Sequence, residues 1–487
     1  MMNREIYTGN LMYKDIYFTF IYYDGVLKLV PQQGQEYLLE RELYGDNFVG
    51  GILRTYPLYR MEDPFLIGTC NETRQQMVFV TRLGASVSSI NAVLHIKIAA
   101  YINYRLQRDR IDRMCFRSYE LDAIHPVNES FSFDFEEPGL SKGIMSVIAK
   151  DFDSTTTEKN VFQIEDKEVA VQFSVTRSSS HKIGEPPLTL SSVMFFEFEA
   201  TDDFLFIYKL WMIAKQFIQY LCYRKNVYFP EVELSCPVEN GLHESFATLY
   251  VIQENTENTE LDSIRKGRVI QQKYIAGCEG KILTDIANNL MYNRHIPEKT
   301  GQSIDASRFI MITGAFEWEF RRLYPEGVPR NKKNREIEEI AESAIQDLIA
   351  NSAGRLKKKY QFLKKLLKSD SLQNEILQVG KDYDDIIGKY GSNLYRLNKF
   401  ELKYSEMGQR LASQRNHFAH GDLDKDFIGY SLLDLIYMQY IVYAMQLRYY
   451  GVSDQNIRRA INELFGLNYY FNDNNEENDL KRGGITQ

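Results

Sequence analysis

The chain has 487 residues, too many for one ordinary core and enough for two or three domains. Its 44% hydrophobic and 25% charged content is that of a globular chain, and a net charge of −8 excludes a general basic coat, so any nucleic-acid site must be local. Cys70, Cys115, Cys222, Cys236 and Cys278 are scattered and form no C-x2-C pair, which argues against a zinc site or a disulfide framework and for a reducing cytosol.

The first 200 residues predict strands. Ile16–Tyr22 is a β-branched and aromatic run closed by Asp24-Gly25, and Val26–Val30 then alternates, which is a hairpin signal. Further strand-like runs are Gln76–Arg82, Val93–Tyr101, Val169–Val175 and Ser192–Glu199, separated by polar loops, and together they predict an antiparallel sandwich or barrel-like unit. Asp202-Asp203 then precede a strong helix over Phe204–Cys222, and Tyr228–Leu234 and Phe246–Ile252 return to strand character. From Cys278 onward the pattern is helical. Pro297-Glu298-Lys299-Thr300-Gly301 is the best boundary, because it combines Pro, Gly and charge.

Six helical stretches follow. Asp305–Leu323 sets Phe309, Ile312, Phe316, Phe320 and Leu323 on one face. Arg335–Leu367 is long, with a candidate break at Gly354. Ser371–Tyr390 comes next, and Ser405 is placed to cap a helix that runs toward His420 and stops at Gly421. Asp424–Tyr450 is the longest apolar helix, and Ser453–Phe465 packs after it. Phe204–Cys222 and Ile428–Tyr449 could pass for membrane spans, but Lys209, Lys215 and Gln216 interrupt the first, and Asp434, Gln439, Gln446 and Arg448 the second. The start of the chain has no apolar leader. The expected class is therefore α+β: a β-rich region over 1–300, a helical domain over 301–468, and a polar, disordered tail over 469–487. Residues 301–487 net +1 and the remainder −9, so the helical part suits a polyanion better.

Chemistry concentrates in Arg415-Asn416-His417-Phe418-Ala419-His420-Gly421. A guanidinium grips phosphate and an imidazole moves a proton near neutral pH. Met407, Leu411 and Phe418 mark the buried stripe of this helix. Asn416 and His420 share a face, whereas Arg415 is turned from Asn416 by about 100°. One straight helix cannot aim Arg415 and His420 at the same atom. Either the helix loosens near Ala419–Gly421, or a second copy contributes.

This spacing resembles the R-x4-6-H signature of HEPN-domain ribonucleases, and its wider context, Ala412–Gly421, resembles the ApeA-like subgroup found in bacterial anti-phage, abortive-infection proteins. The resemblance implies a cytoplasmic endoribonuclease, with residues 1–300 sensing a phage component and the HEPN domain cutting host RNA, with tRNA as the candidate. It implies pairing of two motifs across a homodimer or higher homo-oligomer. His420 would deprotonate a ribose 2′-OH, Arg415 would stabilise charge on the phosphorane, and Asn416 would orient His420 or donate to a phosphate oxygen. No metal or other cofactor and no membrane are expected.

Other residues carry weaker signals. His417 reads as a surface or helix-packing residue ahead of a second base. Glu317 and Glu319 flank the stripe of the first helix, where HEPN families place an acidic residue near the site, and Glu317 fits that placement better; the bland alternative is a solvated face. Arg355, Lys357, Lys358, Lys359, Lys364, Lys365 and Lys368 form an acid-free run able to contact an RNA backbone, although lysine-rich helix faces are usually just solvated. Two rival functions stand beside the ribonuclease: a non-catalytic HEPN-fold RNA- or partner-binding protein, and the toxin of a toxin–antitoxin pair.

Overall fold

The computed structural model describes residues 6–44, 48–49, 52–53, 61–83, 88–90, 93–108, 110–134, 146–229, 231–238, 242–253, 261–329, 332–367, 370–419, 427 and 429–469. His420, Lys368 and residues 470–487 of the expected tail lie outside them, whereas Tyr469, where that tail is expected to begin, is described and its N–H donates to Asn462 Oδ1 at 2.8 Å. The chain divides into two compact units, Met1–Arg265 with Gln271–Leu290, and Lys266–Ile270 with Met291–Gln487. The first is β-rich and the second helical, an α+β chain.

The β-rich unit begins with β1 (Tyr7–Tyr13), β2 (Ile16–Tyr23) and β3 (Val26–Pro31). The β2–β3 turn is Asp24-Gly25, with Tyr23 opposite Val26 and positive φ at both turn residues, as a two-residue hairpin requires. The β1–β2 turn has the same form at Lys14-Asp15, φ 50° and 59°, where the residue types gave no such signal. Strands β4 (Phe65–Cys70), β5 (Gln76–Thr81) and β6 (Val93–Tyr104) complete a six-stranded antiparallel barrel in the order β6-β3-β2-β1-β4-β5, closed by pairing of β5 with β6. Inward alternation buries Phe18, Phe20, Leu27, Leu29, Met77, Phe79, Leu94 and Ile96. The Phe20 ring lies against Gly9 and Gly68, where a Cβ would come within 2.4 Å and 2.8 Å of it.

Strand β6 belongs both to the barrel and to the open continuation of the same sheet. Its first half pairs with β3, Val26 opposite Lys97, and its second half with β12 (His243–Val251), Ala247 opposite Tyr104. From there the sheet continues through β11 (Val232–Pro237), β7 (Ile111–Phe116), β10 (Leu188–Thr201) and β9 (Lys167–Ser179) to the edge strand β8 (Asn160–Ile164). Helix α1 (Phe204–Cys222) is capped by the Asp203 side chain, which accepts from Phe206 N–H, and closed by Tyr223 in the left-handed region. Helix α2 (Glu279–Ala287) covers the β8 edge: Gln163 N–H donates to Thr284 Oγ1 at 3.2 Å, and a Cβ on Gly280 would stand 2.2 Å from Val161 O.

The helical unit comprises α3 (Ala306–Leu323), α4 (Lys332–Ala350), α5 (Gly354–Leu367), α6 (Leu372–Tyr383), α7 (Lys389–Leu397), α8 (Tyr404–Ala419), α9 (Ser431–Tyr450) and α10 (Asp454–Leu464). Asp305, Ser371 and Ser453 cap α3, α6 and α10. Gly354, at φ 58°, opens α5, so the chain breaks where the candidate break is read and forms two helices. The expected helix over Ser371–Tyr390 is interrupted by a π-helical turn at Asp384–Gly388. The motif helix begins before Ser405, since Met407 N–H already donates to Lys403 O, and it is the sixth of the unit rather than the fourth.

Helix α9 runs through the bundle interior against α3, α8 and α10. The polar residues that argued against a membrane span find partners there. Asp434 is gripped by Arg410, Gln446 donates to Glu319 Oε1 at 3.1 Å, and Arg448 donates to Asp382 O at 3.0 Å. Among the described residues no helix is long and apolar enough to cross a membrane.

Candidate functional site

Arg415 lies one turn before the end of α8. Met407, Leu411, Gln414 and Phe418 on the same helix are buried, and Phe418 packs edge-on against Phe309 of α3 with ring centres 5.3 Å apart. Ser431 donates to Gln414 Oε1 at 3.3 Å, tying α8 to the start of α9. This packing holds α8 against α3 and turns Arg415 toward Glu317. The two form a fork, Nη1 to Oε1 at 2.7 Å and Nη2 to Oε2 at 2.8 Å. The Arg415 side chain stays 38% exposed, and the fork uses one N–H on each terminal nitrogen, leaving three of its five donors for another acceptor.

Of the two acidic residues on α3, the structure brings only Glu317 to the motif. Glu319 is buried in the bundle, where it accepts from Arg322 Nη1 at 3.1 Å and from Gln446. Asn416 is exposed and His417 half-buried. Lys357, Lys358, Lys359 and Lys365 are exposed on α5, and Lys364 pairs with Glu342 at 3.2 Å; no contact described for them reaches Arg415.

A third helix contributes a residue that the sequence reading passed over. Glu375 of α6 is buried, and its Oε2 has no hydrogen-bond partner among the described residues. Burial, then the charges of Glu317 and Asp370, push its carboxyl up to about 7 against the opposing pull of Arg321 and Arg415. Helices α3, α6 and α8 thus converge on a mixed cluster in which Glu375 feels the charges of both Glu317 and Arg415. In sequence, Glu375 is one acid inside an ordinary amphipathic helix.

A second ion pair on the same helix is more deeply buried. Arg410 donates from Nε to Asp434 Oδ2 at 2.7 Å and from Nη2 to Oδ1 at 2.8 Å, Tyr395 donates to the same carboxylate, and the guanidinium lies 3.7 Å above the Tyr430 ring. Burial raises the Asp434 carboxyl and these hydrogen bonds pull it back. The signal was in the sequence: a lone aspartate in the apolar α9 and an arginine five residues before Arg415. The five cysteines are free thiols, and among the described residues no group of three or more His, Cys, Asp or Glu side chains could hold a metal ion. Compared with protein-family models, curated proteins and solved structures, the chain matches none.

Proposed function

We propose that the helical unit is a HEPN-type endoribonuclease that cuts RNA by internal attack of the 2′-OH, and that the whole chain acts in anti-phage defence by abortive infection. The observation that carries the reading is Arg415 itself: a guanidinium in the last turn of its helix, fixed in a fork by Glu317 and still 38% exposed. A positioned planar donor stabilises the extra charge of a phosphorane without reorganising during the reaction. His420, five residues further on, removes the 2′-OH proton. The 2′-oxygen bonds to phosphorus, the bond to the 5′-oxygen breaks, and that oxygen takes up a proton, leaving a 2′,3′-cyclic phosphate and a 5′-OH. The nucleophile belongs to the substrate, so RNA is required and DNA is not cut. A second protomer supplies the partner motif that one helix cannot aim, and residues 1–300 hold the activity in check until a phage component engages them.

Purified protein with bulk tRNA in EDTA tests the reaction. Cleavage to cyclic-phosphate ends that His420→Ala removes supports it; full cleavage by His420→Ala would refute the general base, and activity that only magnesium or manganese restores would refute the metal-free route. One observation favours a second reading: Arg415 is already engaged by Glu317, as in a structural ion pair. A non-catalytic RNA-binding protein would hold tRNA tightly in the same assay and leave it intact.

A further inference from the structure

Helices α4 and α5 pack against each other as an antiparallel hairpin. Glu338, Ala341, Glu342, Ile345 and Ile349 on α4 and Tyr360 and Lys364 on α5 are the less exposed positions that form its seam, with Lys364 paired to Glu342. The seam leaves a second apolar stripe uncovered. Ile337, Ile340 and Leu348 on α4, and Leu356 and Leu363 on α5, are between 45% and 71% exposed. At about 100° per residue, the three α4 residues fall within an arc of about 80° and the two α5 residues within about 20°. Each stripe is turned from the seam in the same sense about its own helix axis. In two antiparallel helices, rotations of the same sense lead to the same face. Single exposed aliphatic residues are ordinary, but a five-residue stripe along one face of a hairpin is an unpartnered surface.

The charges of the hairpin are segregated. Helix α4 carries Glu336, Glu338, Glu339, Glu342 and Asp347 against three basic residues, whereas α5 carries six basic residues and no acid. A hairpin with one acidic and one basic arm is complementary to itself. We infer that this face docks a second copy of the same hairpin, giving a four-helix bundle about a two-fold axis parallel to the helices. That axis sets α4 of one copy across from α5 of the other, antiparallel and opposite in charge, and buries the two stripes against each other. A two-fold perpendicular to the helices would stack α5 on α5, lysine on lysine. In the favoured arrangement Asp347, near the turn at the outer edge of the stripe, comes level with Arg355 and Lys359 of the second copy. The inference uses neither Arg415 nor the cleavage chemistry; it shares with the proposed function only the second protomer, so a monomer would count against both, whereas a dimer held elsewhere on the chain would refute this inference alone.

Sedimentation velocity on the full-length protein tests it, with circular dichroism to check the fold. At about 10 µM the wild-type chain should sediment as a dimer, and Ile340→Glu with Leu363→Glu as a monomer of 57.0 kDa with unchanged helix content, because both side chains are exposed. Asp347→Arg should raise the dissociation constant about tenfold, and adding Arg355→Asp should recover most of it. A wild-type monomer overturns the proposal, including one that gains mass only when tRNA is added. So does a dimer that survives the double glutamate substitution with its fold intact. Should that double variant not fold, the charge reversals decide: no weakening by Asp347→Arg, or no recovery with Arg355→Asp, overturns the proposal.

Discussion

Replacing Glu375 with glutamine should stabilise the helical unit at pH 8 and leave it unchanged at pH 4. The Glu375 carboxyl sits at about 7 in the folded chain against an ordinary 4.5. Below 4.5 the folded and unfolded chains both hold the proton, and the neutral acid behaves like the amide. As pH rises from there, the unfolded chain ionises while the folded chain keeps its proton, so stability drains away until the folded value is passed. The difference between the two values, at about 1.4 kcal/mol per pH unit, amounts to about 3 kcal/mol by pH 8. Glutamine cannot ionise and escapes the whole of this loss. The assay is urea unfolding at pH 4, 6 and 8 followed by Trp318 fluorescence in a Trp211→Phe background, which leaves one tryptophan, on α3. An advantage of Glu375→Gln that is the same at every pH would show that this carboxyl titrates normally, and the electrostatic account of the cluster would fail with it.

Three further substitutions probe the other contacts. Glu317→Gln should cost only about 1 kcal/mol of stability, since Arg415 is partly exposed, yet lower kcat for RNA cleavage about tenfold with little change in KM, which single-turnover kinetics would resolve. Arg410→Ala strands the buried Asp434 carboxylate and should destabilise the helical unit by about 3–5 kcal/mol in urea melts; Arg410→Met with Asp434→Leu should recover most of that. Gly280→Val forces a side chain into Val161 O and should lift α2 from the β8 edge, seen as faster proteolysis near Thr284.

Much of the fold could be read from residue patterns, and the exceptions have physical causes. The Asp24-Gly25 hairpin announced itself because glycine tolerates positive φ, whereas the Lys14-Asp15 turn adopts the same backbone with residues that do not advertise it. Strands were found but shortened: β9 and β10 extend past their apolar centres into Arg177–Ser179 and Leu188–Thr189, where ladder pairing rather than burial sustains them. Barrel closure through β5 and β6 is a long-range register that local alternation cannot encode. At the site, the buried stripe of Met407, Leu411 and Phe418 followed from helical spacing, and the choice of Glu317 ahead of Glu319 agrees with where the two carboxylates point. Glu375 was illegible because nothing in its neighbourhood of sequence says that α6 will bring it within reach of the Glu317 charge.

The double duty of β6 has a consequence for how such a chain can be taken apart. A fragment ending at Tyr104 keeps the barrel closed yet bares the Ala100–Tyr104 rim that β12 would have zipped, an adhesive template for neighbouring molecules. A fragment beginning after β6 strips the open part of the sheet of its flank and leaves the preceding strands as an open, curling ribbon between β3 and β5. Recombination between related genes is therefore expected to swap this region whole, because a cut on either side of β6 bares a sheet edge.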